Sequence, residues 1–299
     1  MAHFSHVVSA VDFSPATDSQ LKYLGKLQEL GTTTVTLMHV LDARYGQGPD
    51  EDRKQTYKDL LEEKAEALRE QGITVHTKLG TGAPAEFIVD YARDEQADLI
   101  LLASRGHNML KRLLIGSTAA EVLRLTETPV LLDQVEPSDE DGAAKRTKAR
   151  TNGFDRILLA TDFSPSARSA EDMAVSLAQE GAEQAVFMTV RNTNKNLVTI
   201  ELARKKLNRL VERAGSHATS IVRSDGGDPA DVITETADEH ESTLLIVGKQ
   251  GRGKLEDRIT GSTASTLAKK ANRPVLMVPR VSESTRQAAS KQKDAALNE

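Results

Sequence analysis

The chain has 299 residues, a net charge of -5, 28% charged and 38% hydrophobic residues, a length and balance that accommodate two ordinary globular domains, each with its own core. The acidic balance offers nucleic acid no electrostatic footprint, and 3% aromatics offer no platform for stacking bases. Cysteine is absent, which excludes disulfides, thiolate catalysis and zinc sites built on Cys, and no apolar run has the length of a membrane span or of a leader segment, so a cytoplasmic protein with no membrane or nucleic-acid partner is expected.

Residues 7–11 are a short, mostly apolar run that predicts a strand. A helix follows with Ser14 as N-cap and Pro15 at its first position; it carries Leu21, Leu24, Leu27 and Leu30 and stops at Gly31. Residues 34–40 read as a second strand. A helix over about 52–70 sets Leu60, Leu61, Ala65 and Leu68 on one stripe and ends at Gly72. Residues 73–79 alternate as a strand does, and Pro84 opens a third helix bearing Phe87, Ile88, Tyr91 and Ala92. Residues 98–103 include a continuous apolar run, as in a parallel strand buried on both faces. A glycine-bearing loop leads to a helix over 117–125 and a last strand over 129–132.

The scheme then repeats. Strands are predicted at 156–161, 185–190, 218–222, 244–247 and 275–278, with helices beginning near Ser164, Leu197, Pro229 and Ser262. Val11-Asp12-Phe13-Ser14-Pro15 returns as Thr161-Asp162-Phe163-Ser164-Pro165, shifted by 150; Gly106, Gly116-Ser117-Thr118 and Pro129-Val130 return as Gly251, Gly261-Ser262-Thr263 and Pro274-Val275, shifted by 145. Two copies of one domain are implied, over 1–135 and 154–282. Residues 136–153, acidic and then basic, read as a solvated linker, and 283–299, rich in Ser, Gln and Lys, as a disordered tail.

Five strands alternating with four helices in each copy predict an α/β fold: tandem doubly wound, five-stranded parallel sheets with helices on both faces. Ligands bind such sheets outside the carboxyl ends of the strands, where the order reverses. A 2-1-3-4-5 order puts that point between strands one and three; a 3-2-1-4-5 order puts it between strands one and four.

Strand one ends at Asp12 or Asp162, and each carboxylate has two readings: a ligand for ribose or adenine groups, or a cap for the following helix. After strand four, Gly248-Lys249-Gln250-Gly251, nine residues and Gly261-Ser262-Thr263 place glycines at both ends of a long loop that leads into a helix N-terminus. Free N–H groups, the helix dipole and two hydroxyls suit a phosphate there. The plainer reading is that Ser262 or Thr263 caps the helix. The duplicated spacing favours a ligand. Val40 and Val190 end strand two, where main-chain groups can meet an adenine edge.

Other signals are discounted. Gly80-Thr81-Gly82-Ala83-Pro84-Ala85 matches a dinucleotide-binding pattern, but it follows strand three and the second copy does not keep it. His3 and His6 lack a third ligand. The second copy has Thr189 in place of His39, which therefore reads as a packed or polar rim histidine and not as a base. Ser14 and Ser164 lack an evident base.

The pattern Gly-x2-Gly-x9-Gly-Ser after strand four, with Asp at the end of strand one, resembles the universal stress protein family in its tandem two-domain form, over about residues 3–133 and 154–280. The resemblance implies a Rossmann-like sheet of order 3-2-1-4-5 in each copy and an internal pseudo-dimer joined through the last strands, with a further homodimer left open. It implies a stress-response protein that binds ATP or another adenine nucleotide, with Mg²⁺ as an accompanying ion, and that acts through nucleotide-dependent shape or partners without catalysis. The nucleotide roles carry over to Asp162, Val190, Gly248, Gly251, Gly261, Ser262 and Thr263, and to Asp12, Val40, Gly106, Gly116, Ser117 and Thr118. Ala103 stands where the first motif glycine belongs, so the second copy is expected to be the better site. Arg252, Lys249 and Lys254, or Arg105, Lys111 and Arg112, are candidates for extra charge beside a triphosphate, although each also fits a solvated loop. The alternatives are a slow ATPase or phosphotransferase, and a nucleotide-free scaffold.

Overall fold

The structure is a computed structural model that describes residues 4–43, 50–104, 115–134, 153–191, 197–224, 227–250 and 261–280. The first half runs β1 (His6–Ala10), α1 (Pro15–Glu29), β2 (Thr34–Asp42), α2 (Glu51–Arg69), β3 (Thr74–Gly82), α3 (Pro84–Asp94), β4 (Leu99–Ala103), α4 (Ser117–Leu125) and β5 (Val130–Asp133). The second runs β6 (Arg156–Ala160), a 3₁₀ turn (Pro165–Ala167), α5 (Arg168–Glu180), β7 (Gln184–Val190), α6 (Leu197–Ala214), β8 (Ala218–Arg223), α7 (Pro229–Glu239), β9 (Leu244–Gly248), α8 (Ser262–Lys270) and β10 (Val275–Val278).

Each half has the order 3-2-1-4-5, and the halves merge into one ten-stranded sheet, β3-β2-β1-β4-β5-β10-β9-β6-β7-β8. The pairings are parallel except at the centre, where β5 and β10 run antiparallel with Leu131 opposite Leu276. The edge that each five-stranded sheet would expose is therefore covered by the other half. Alternation along buried strands divides the apolar side chains between two layers. Leu99 and Leu101 pack in the layer that holds residues of α1, α2, α5 and α6, while Ile100 and Leu102 pack in the layer of α3, α4, α7 and α8. Both layers run through both halves.

Local signals set the helix starts. Ser14 accepts from the Ala16 N–H (3.3 Å) ahead of Pro15, and Asp50 accepts from the Arg53 N–H (2.8 Å). The second half departs at Ser164: it accepts from the Ala167 N–H (3.2 Å), and a 3₁₀ turn precedes α5. Strands β2 and β3 outrun their predicted ends because their register continues to Asp42 opposite Gly82, beyond the apolar run. The discounted glycine pair has a packing explanation. A Cβ on Gly80 would meet the Phe87 ring at 2.7 Å, so the glycine makes room for an aromatic side chain. The predicted linker, apart from Gly153, and the predicted tail lie outside the described residues.

Candidate functional site

The reversal of strand order falls between β1 and β4 and, in the second half, between β6 and β9. Ala10 pairs with Leu102 and Ala160 with Val247, so the carboxyl ends of the two strands lie side by side in each half. Two residues beyond the first strand sits Asp12 or Asp162. Just beyond the other strand, the Gly116 N–H donates to the Ser104 carbonyl and the Gly261 N–H to the Lys249 carbonyl, both at 2.8 Å. One crevice per half thus gathers the acidic strand tip and a helix N-terminus.

The helix starts resolve the competing reading of Ser262 and Thr263. Gly116 and Gly261 occupy the N-cap positions, and neither helix has a side-chain cap hydrogen bond. Ser117 and Ser262 are the first helical residues and are exposed. A glycine cap leaves the N–H groups of the first turn without a side-chain acceptor, the condition that favours an anionic ligand.

The strand-one carboxylates do cap local structure. Asp12 Oδ1 accepts from the Ser14 N–H (3.0 Å) and Asp162 Oδ1 from the Ser164 N–H (2.9 Å). Between acid and serine, Phe13 and Phe163 take positive φ values of 56° and 59°. Left-handed backbone at a non-glycine residue is costly, and it recurs at equivalent places beside the crevice. Ser14 and Ser164 are occupied as helix caps. Val40 and Val190 are half-buried at the carboxyl ends of β2 and β7 and pack in the layer of α3 and α7.

Gly248 sits tight against the protein's own backbone. It is not in the left-handed region, but a Cβ there would lie 3.2 Å from both the Ala167 Cα and the Gln250 carbonyl oxygen. The 3₁₀ turn after Ser164 brings Ala167 onto the end of β9. In the first half α1 begins directly at Pro15 without that turn, and Ala103 carries the extra methyl.

The sequence profile of the Universal stress protein family matches residues 3–133 and 153–279. The chain belongs to the universal stress protein family. It is 25% identical to a universal stress protein of Mycolicibacterium smegmatis, over 91% of this chain and 96% of that one. A universal stress protein of Methanocaldococcus jannaschii is 30% identical, over 43% of this chain and 81% of that one. The crystal structure of a universal stress protein from Archaeoglobus fulgidus superposes with a TM-score of 0.73 at 21% identity, over 93% of this chain and 97% of that one, a likeness of fold.

Of the universal stress protein motif residues, Gly106 and Gly251 lie outside the described residues, as do Arg105, Lys111, Arg112, Arg252 and Lys254. Lys249 is a correction. It is neither a solvated loop residue nor a charge facing the crevice: it is 5% exposed, and its ammonium donates to the Thr126 carbonyl (2.6 Å) and the Arg124 carbonyl (3.3 Å) of the other half. Burial pulls its pKa down to about 8, against a smaller upward pull from Glu127.

Four further features surround the crevices. Thr161 Oγ1 accepts from the Phe163 N–H (2.9 Å) and donates to Glu171 (2.5 Å), whose carboxyl is pushed up chiefly by burial. Arg191 and Lys206 stand 5.6 and 5.2 Å from the Phe163 ring. In the first half, Phe13 packs with His39 and Tyr57, and those two rings stack at 4.5 Å. His39 Nδ1 lies 2.8 Å from the Val11 carbonyl, and burial lowers its pKa. Asp133, at the end of β5, is 1% exposed and accepts from Ser19 Oγ (2.8 Å). Comparing the two copies position by position is the signal that could have found these residues: Val11, Leu21 and Val278 stand where the other half has Thr161, Glu171 and Asp133. Among the described residues, no group of three or more His, Asp or Glu could hold a metal ion, and no helix is long and apolar enough to cross a membrane.

Proposed function

We propose that each half binds an adenine nucleotide, ATP in the first instance, and that the chain serves a stress response through nucleotide-dependent shape or partner binding, without catalysis. The observation that carries this reading is the glycine-capped helix N-terminus tied to the end of strand four beside an acidic strand tip, built twice. In the second half, the first-turn N–H groups and the hydroxyls of Ser262 and Thr263 would hold phosphate oxygens. Asp162 would accept from the nucleoside, and main-chain groups at Val190 would meet the base. Asp12, Val40, Gly116, Ser117 and Thr118 would do the same in the first half. The bound nucleotide supplies negative charge to the helix ends and a rigid bridge between the two strand tips. The second half is the stronger site, because Asp162 is half-buried where Asp12 is exposed, and because Arg191 and Lys206 add positive charge over the ring of Phe163, the residue next to Asp162.

Calorimetric titration with ATP tests the reading. Gly261→Val and Asp162→Ala should each weaken the tighter binding event. Unchanged binding in both variants would defeat the proposal. Phosphate release by highly purified protein that disappears in Asp162→Ala would replace it with a slow ATPase.

A further inference from the structure

From the geometry of Lys249 we propose that the two nucleotide sites are coupled across the sheet, so that filling the second-half site tightens the first-half site. The inference rests on the nucleotide reading above and extends it to regulation. Lys249 touches both sites through different atoms. Its carbonyl accepts from the Gly261 N–H at the N-terminus of α8, and its own N–H donates to the Val278 carbonyl of β10 (2.8 Å). Its side chain crosses the β5–β10 seam and caps the last turn of α4 through the Arg124 and Thr126 carbonyls. The N-terminus of α4 is the Gly116-Ser117 phosphate element of the other half.

A cation on the last carbonyls of a helix favours the dipole that draws an anion to its first turn. α4 has nine residues, roughly 13 Å from end to end. A nucleotide that fixes Gly261 fixes the Lys249 main chain, and with it the ammonium on α4. The ordering is then complete before the second nucleotide arrives, which is a source of positive coupling. A contact also runs the other way: Gln134 Nε2 donates to the Ala268 carbonyl in the last turn of α8 (3.1 Å). Coupling between two binding sites is reciprocal, so both contacts serve one linkage and filling either site tightens the other by the same factor. The residue equivalent to Lys249 in the first half is Ser104, too short to make the crossing.

The experiment is ATP titration of the intact chain in four forms: wild type, Gly261→Val, Lys249→Met, and the double variant. First-half affinity should be about five-fold or more weaker in Gly261→Val than in wild type. Lys249→Met should show a comparable loss, and adding Gly261→Val to it should cost nothing further. Lys249→Arg keeps the charge and should keep the coupling, which separates loss of the link from loss of folding. Amide exchange across residues 119–127 should slow when ATP is added to Gly116→Val, and should not respond in Gly116→Val/Lys249→Met. Two ATP molecules bound with first-half affinity equal in wild type and Gly261→Val would overturn the coupling and leave the nucleotide reading standing. No ATP bound by the wild type would overturn both.

Discussion

The two halves share one frame and differ at the rim of the crevice. In the first half, β4 ends on Ala103 with Ser104 after it, Asp133 is buried at the end of β5, and Phe13 lies against His39 and Tyr57. In the second, β9 ends on Gly248 with Lys249 after it, Val278 replaces the buried acid, and Phe163 lies near two cations. The strand order, the turn carrying the acid and the glycine-capped helix are the same in both. The duplication has kept the glycine-capped helix end proposed to hold a phosphate and changed what surrounds it, as expected if the halves divide a common task unequally.

The sharpest way to break this comparison is at the acids. Asp162→Ala should weaken the tighter ATP-binding event by about ten-fold, the order expected from losing a hydrogen bond to a charged group. Asp12→Ala should act only on the weaker event. Equal effects of the two variants would erase the ranking of the sites.

Reciprocal changes at the strand-four tip come next. Gly248→Ala puts a methyl against Ala167 and the Gln250 carbonyl and should destabilise the fold by about 1–3 kcal/mol in chemical denaturation. Ala103→Gly should cost only about 0.5–1 kcal/mol, the conformational price of a glycine in a strand. A similar cost in both would mean that the 3₁₀ turn of the second half does not set the requirement for glycine.

Thr161→Val installs the residue of the first half. It removes the acceptor of the Phe163 N–H and should cost about 1 kcal/mol. Lys249 adds a pH effect. Its folded-state pKa of about 8 lies below the ordinary lysine value of about 10.4, so the unfolded chain holds more protons between those limits. Stability contributed by this group therefore rises as pH increases across that window. The groups that face it are the Arg124 and Thr126 carbonyls, with Glu127 as the charge that opposes the shift. The gain in denaturation midpoint between pH 7.5 and 9.5 should be larger in wild type than in Lys249→Met.

Much of the frame was legible in the sequence because its signals are local. Ser14 followed by Pro15 fixes a helix start, and the continuous run at residues 99–102 can be buried on both faces only in the middle of a sheet. The repeated acids and the helix-capping glycines fall next to the ends of strands one and four, which this topology brings together wherever the order reverses. What the sequence hid was set by contacts between distant residues. Lys249 sits inside a polar, glycine-flanked run and reads as a loop charge, yet its role depends on a helix end more than 120 residues away. The reason for Gly248 was hidden in the same way, because it lies in a 3₁₀ turn that no sequence signal distinguishes from the direct helix start at Pro15. The merging of the two sheets follows from a resemblance in the sequence, but its antiparallel register at Leu131 and Leu276 does not.

Native mass spectrometry of the intact chain titrated with ATP addresses the central claim most directly. Two nucleotides should bind per wild-type chain, one should remain in Gly116→Val and one in Gly261→Val, with the tighter of the two missing from the latter. An unliganded wild-type chain at saturating ATP, or the same stoichiometry in all three proteins, would contradict the assignment of the glycine-capped helix ends as the nucleotide sites.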